Sequence, residues 1–151
     1  MDLSGNKELL DRYLVAFFAS RTAPCEALDK AKRWAHEIAR TDKVVISGFH
    51  SPIERAVLDI LLSHNCSVVM ALGRSLYKKT PPHLLVPYNE NRLLYISFRN
   101  YSRPSLSNSQ LRNWAVADLA SEVIFAPFEE SSQLSTLHFT LSNNSSKVYI
   151  L

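Results

Sequence analysis

The chain has 151 residues, 46% hydrophobic and 21% charged, with a net charge of +3, proportions of a single water-soluble domain. Two cysteines, Cys25 and Cys66, with no CxxC pair and no histidine at metal-ligand spacing, exclude a disulfide framework and a sequence-encoded metal site. No apolar run reaches the ~20 residues of a membrane span, so the expected place is the cytoplasm, with both thiols reduced.

In chain order, residues 1–12 read as a short helix or an N-terminal arm and residues 13–151 as one domain. YLVAFFA, at 13–19, has the apolarity of a signal-peptide core, but Asp2, Glu8 and Asp11 precede it where basic residues would stand. LVAFFAS (14–20) predicts a strand buried on both faces, and a helix follows from about Pro24 to Arg40, striped by Leu28, Ala31, Ala35 and Ile38. KVVIS (43–47), SVVMAL (67–72), RLLYIS (92–97), EVIFAP (122–127) and KVYIL (147–151) predict further strands. Helices are expected at 51–64, 107–120, with Trp114 in a stripe with Leu111 and Ala115, and 132–141. Residues 74–91, with Pro81, Pro82 and Pro87, are expected to be irregular.

Apolar strands alternating with amphipathic helices specify an α/β fold: a Rossmann-like, doubly wound, mostly parallel sheet of about six strands with helices on both faces. Ligands of such folds bind outside the carboxyl ends of the strands.

Those ends are chemically alike. The first strand runs into Ser20 and Arg21, the third into Gly73 and Arg74, and the fourth ends at Ser97. The second runs into SGFHSP, with Ser47, Gly48 and His50 ahead of Ser51, Pro52 and Glu54. Ser-x-x-Glu with proline at the first helical position is a capping box, which fixes a helix N-terminus suited to an anion. Gly48 is expected to permit a tight turn and a close ligand approach. Arginines at the same edge can grip phosphate oxygens with two parallel N–H donors. Arg21, Ser47, Gly48, Gly73 and Arg112 are therefore expected to converge on one anion pocket.

Charge is unevenly spread. Residues 74–112 carry seven basic groups against Glu90, whereas residues 1–73 carry nine of each sign. Aromatics interleave with this basic block, a combination suited to single-stranded nucleic acid through phosphate pairing and base stacking. Lys78, Lys79, Arg99, Tyr101 and Arg103 are the candidate contacts, with Tyr77 and Phe98 beside them.

The order ASRTAP, VVISGFHSPIERAVLDILL, VVMALGRSLY and then Arg112-Asn113 before EVIFA resembles the Rossmann-like core of the DNA-processing protein A family, over about residues 14–151. Ser20-Arg21 match that family's Gly-Ser-Arg, with Ala19 for the glycine. Ser47-Gly48 and Ile53 match its second motif, with Pro52 for the glycine and Glu54 for the aspartate that open its helix. Leu72-Gly73 match its Leu-Gly-x-Gly with Ser75 at the second glycine, and Ser131-Ser132 stand for its later Ser-Gly. The resemblance implies a nucleotide- or single-stranded-DNA-binding module linked to DNA uptake and recombination, with no cofactor or metal, a nucleotide or nucleic acid as partner, and a possible homodimer. The alternative is a hydrolase cleaving an N-glycosidic or phosphate bond of a nucleotide, with Glu54 as its carboxylate and His50 beside it.

Overall fold

The computed structural model describes residues 1–98, 106–144 and 147–151. Their strands are β1 (Asp2–Gly5), β2 (Leu14–Phe18), β3 (Val44–Ser47), β4 (Val68–Leu72), β5 (Leu93–Ser97), β6 (Glu122–Phe125) and β7 (Val148–Ile150). Their α-helices are α1 (Ala27–Ile38), α2 (Pro52–Ser63), α3 (Leu85–Asn89), α4 (Leu106–Leu119) and α5 (Leu134–Asn144). One sheet takes the order β1-β5-β4-β3-β2-β6-β7. All pairs are parallel except β1 with β5, where Asp2 faces Ser97 and Gly5 faces Leu94.

Alternation along the strands divides the core in two. Val15, Phe17, Val45, Val68, Met70 and Tyr95 pack against Ala31 and Ala35 of α1 and Val57 and Leu61 of α2. Their neighbours Ala16, Phe18, Ile46, Val69, Ile96 and Phe125 face the other way, onto Val116 of α4 and Leu134 and Leu137 of α5. Burial on both faces is why these strands read as continuous apolar runs. Strand order reverses direction between β2 and β6, and that switch point places a crevice at their carboxyl ends.

Four expectations are corrected. Residues 2–5 are not an arm or helix but the antiparallel edge strand, followed by a 3-10 turn at Lys7–Asp11 that inserts Leu9 into the core. With it the described residues form seven strands, in keeping with the sheet of about six expected. The proline-rich segment holds a 3-10 turn, Pro82–Leu84, leading into α3; Pro82 and Pro87 lie in first turns, where a missing N–H costs nothing. On α1 it is Ala27, not Leu28, that is buried, and on α4 Leu111 and Trp114 are exposed while Arg112 is buried.

Candidate anion-binding site

The SGFHSP turn is assembled from within. Ser47 is fully buried, and its Oγ accepts the Phe49 N–H at 3.1 Å. Phe49, not Gly48, takes the left-handed conformation, at φ 47°. A bulky residue there is strained, and buried packing of its ring holds it in place. Gly48 is required for a different reason from the tight turn the sequence suggested. A Cβ at Gly48 would collide with the guanidinium of Arg112, which reaches across from α4.

Ser51 caps α2 as expected, its Oγ accepting the Glu54 N–H at 3.3 Å while the Glu54 carboxylate accepts the Ser51 N–H at 3.2 Å. Glu54 does more than close the box. It is buried, and it also accepts the His50 N–H at 2.9 Å and, from the end of β2, the Ala19 N–H at 3.0 Å. One carboxylate thus clasps the β2 and β3 loops to the start of α2. Both its oxygens are engaged by backbone donors, so the hydrolase alternative finds no support in its geometry.

Arg112 is 7% exposed, and its Nε donates to Asn113 Oδ1 at 3.2 Å. The ion pairs among the described residues are Lys43–Glu122 and Arg92–Glu90, so Arg112 has no carboxylate partner there. Burial pushes its pKa down and the field of Glu54 pushes back up; a guanidinium nonetheless stays charged in proteins. A buried cation without a paired anion is costly unless something else supplies negative charge.

His50 stands beside it. Its Nε2 lies 3.3 Å from Arg21 Nη2. A guanidinium only donates, so Nε2 accepts and the imidazole is neutral with its proton on Nδ1. Burial and then the charges of Arg112, Arg21 and Arg55 hold the His50 pKa below its ordinary 6.5, against the opposing field of Glu54.

These groups form a ridge between two clefts. The first, about 630 Å³, lies at the switch point and contains Ser20, Arg21, Ser51, Glu54, Asn113, Trp114, Ser131 and Ser132. The second, about 520 Å³, contains Gly48, Gly73, Arg74, Arg55 and Tyr77 over an apolar floor. His50, Ser109 and Arg112 line both. The single pocket expected from the sequence is therefore divided, with Arg21 on one side and Gly73 on the other. Ser47 and Ser97 lie in neither lining and act in support, Ser97 Oγ donating to the Arg74 carbonyl at 2.7 Å. Arg74 lies over the Tyr77 ring at 4.9 Å. Lys78 and Lys79 are exposed and outside both clefts, while Arg99, Tyr101 and Arg103 fall outside the described residues. Arg55 and Trp114 were missed as site residues. A cation in the first turn of a helix, where acids are favoured, was the signal for Arg55.

Among the described residues no cluster of three or more His, Cys, Asp or Glu is placed to hold a metal, and no helix is long and apolar enough to cross a membrane.

Fold and site together define a Rossmann-like domain with arginine-lined clefts at its topological switch point. The chain belongs to the DNA recombination-mediator protein A family, which matches it over residues 2–151. Solved relatives include DNA processing protein A from Streptococcus pneumoniae, with TM-score 0.78 and 20% identity over 98% of this chain and 53% of that one. Another is DNA processing protein A from Helicobacter pylori, described for its single-stranded DNA binding mode, with TM-score 0.77 and 20% identity over 98% of this chain and 69% of that one. The molybdenum cofactor carrier protein of Chlamydomonas reinhardtii is more distant, with TM-score 0.54 and 9% identity over 92% and 89% of the two chains. Likeness at these identities establishes the fold. None of the curated proteins matches.

Proposed function

We propose that this domain binds single-stranded DNA, seating a backbone phosphate on the ridge formed by Arg112, His50 and Arg21. The observation that carries the reading is Arg112: buried, lying against Gly48, without a carboxylate partner among the described residues, and open to both clefts. A phosphodiester supplies the missing negative charge and accepts the free guanidinium donors. Trp114, 40% exposed in the first cleft, offers a ring for a base. Family membership, and the single-stranded DNA named for the H. pylori relative, favour a DNA strand over a free nucleotide. Lys78, Lys79, Arg99, Tyr101 and Arg103 extend the interface, and the free thiols Cys25 and Cys66 accord with a cytoplasmic setting. Assembly as a homodimer belongs to the same proposal and is read by sedimentation.

The test is anisotropy of a labelled oligonucleotide across a salt series. Three or four phosphate contacts predict a log–log slope of roughly −2 to −3. A flat response, or no binding at low salt, overturns the reading. Arg21 is exposed, so Arg21→Gln tests the ridge without disturbing the core.

A further inference from the structure

We propose that the second cleft is a nucleotide subsite, and that consecutive nucleotides of one strand occupy the two clefts with their shared phosphate on Arg112. The inference rests on the reading above and adds where the strand goes. It begins with the ridge. His50, Ser109 and Arg112 are the residues common to both linings, so a single anion on the guanidinium is reachable from either side. Two separate phosphate monoesters brought to that one cation would repel each other. One phosphodiester bears a single charge and carries a nucleoside on each side, which matches one cation shared by the two larger clefts.

The second cleft has the make-up of a nucleotide site. Its volume, about 520 Å³, is in the range of small-ligand pockets. Its floor is Phe49, Met70 and Leu84, all buried, an apolar surface for the face of a base. Its remaining cations are Arg55 and Arg74, against the one carboxylate of Asp59. Arg74 is held in place by its Nε donating to the Ser75 carbonyl at 3.3 Å, by Ser97 on its own carbonyl, and by the Tyr77 ring beneath it. A guanidinium held against a ring in this way keeps N–H donors for an incoming phosphate. Gly73 adds an open backbone on this side; a Cβ there would meet only ordinary contacts, so the space is shaped by the cleft and not by crowding.

Two side chains report on the two clefts separately. The chain has two methionines and two tryptophans. Met70 lies in the floor of the second cleft, and Trp114 in the wall of the first. Trp34 stacks on Phe17 at 4.9 Å, away from both. The experiment titrates the full chain with thymidine dinucleotide, which has one internal phosphate, and with thymidine monophosphate, following the Met70 methyl and the Trp114 Nε1–H by NMR. One dinucleotide per chain should move both signals along a single binding curve, at least about tenfold tighter than the monophosphate. Arg55→Gln, exposed on α2 and lining only the second cleft, should weaken the dinucleotide about fivefold and leave the monophosphate-induced Trp114 shift within about twofold. Movement of Trp114 alone, or separate midpoints for the two signals, overturns the shared-strand arrangement while single-stranded DNA binding stands. Equal weakening of both probes by Arg55→Gln also overturns it, because Arg55 would then act only through the overall field. Failure of any oligonucleotide to bind overturns the parent reading and this one together.

Discussion

The two ends of the parallel sheet treat positive charge in opposite ways. At the amino ends of the strands, Lys43 pairs with Glu122 at 3.3 Å and lies 5.1 Å from the Tyr13 ring centre, with Lys147 over the same ring at 5.5 Å. Tyr13 also donates to Glu122 at 3.2 Å. Cations, carboxylate and ring there satisfy one another. At the carboxyl ends Arg21, Arg55 and Arg112 surround a neutral histidine, and the nearby carboxylate, Glu54, is turned onto backbone N–H groups. The comparison teaches that the count of charges is less informative than their pairing. Both ends are rich in cations, but only one keeps them available to something outside the chain.

The contrast is breakable, first through its two glutamates. Glu54→Ala removes a buried acceptor from three N–H groups and should cost about 3 kcal/mol, measured by urea denaturation. Glu122→Gln, at the amino end, should cost less than about 1 kcal/mol. Similar losses for the two would dissolve the distinction between a clasp and a surface pair. Gly48→Ala comes next. The new methyl group displaces Arg112, so about 2 kcal/mol of stability should go, together with at least about tenfold in oligonucleotide affinity. Retention of wild-type affinity by a folded Gly48→Ala protein would show that Arg112 is not the phosphate seat.

Smaller effects sharpen the comparison. Arg21→Gln should lower the magnitude of the salt slope by about 0.7, the value of one phosphate contact on a single strand. Lys43→Gln should leave the slope unchanged, because its charge is already matched. The last concerns pH. His50 is held neutral in the folded protein to a lower pH than in the unfolded chain. Between the folded value and 6.5 the unfolded state binds more protons, so stability rises with pH across that window. A His50→Gln variant should flatten this rise. An anion on the ridge raises the His50 pKa from its depressed value, so binding takes up protons and should tighten as pH falls below 6.5 toward the His50 pKa of the free protein; histidine NMR with and without oligonucleotide reads this directly. A His50 pKa that does not move on binding would place the phosphate elsewhere.

The parallel strands and the capped helix were legible because each depends on local pattern: continuous apolar runs for strands covered twice, and Ser-x-x-Glu after a strand for the cap. β1 was not, since DLSG has one apolar residue and its identity as a strand comes from β5, far along the chain. The helical turns at 82–89 were hidden because proline was read as a breaker at positions where it is harmless. In the site, the edge was legible and its inner wiring was not. Ser20, Arg21, Gly48 and Gly73 stood at strand ends in plain sight. The burial of Arg112, the reach of Glu54 to Ala19 and the reason for Gly48 are contacts between distant segments. An arginine in an amphipathic pattern reads as solvated, and only the fold reveals that this one is inside.

β1 carries a consequence for how the molecule comes into being. It precedes β2, β3 and β4 in the chain, yet its one neighbour in the sheet is β5, with Leu3 opposite Ile96. Until β5 is made, β1 has nothing to pair with, and the parallel strands β2 to β4 can associate without it. A strand made before β2 to β4 thus docks after them, and closing so long a loop delays it further. Once docked it shields the outer rim of β5, a row of backbone groups that would otherwise invite another chain. Newly made protein therefore passes through a period when that rim is bare, and aggregation during expression should be most sensitive to changes in β1.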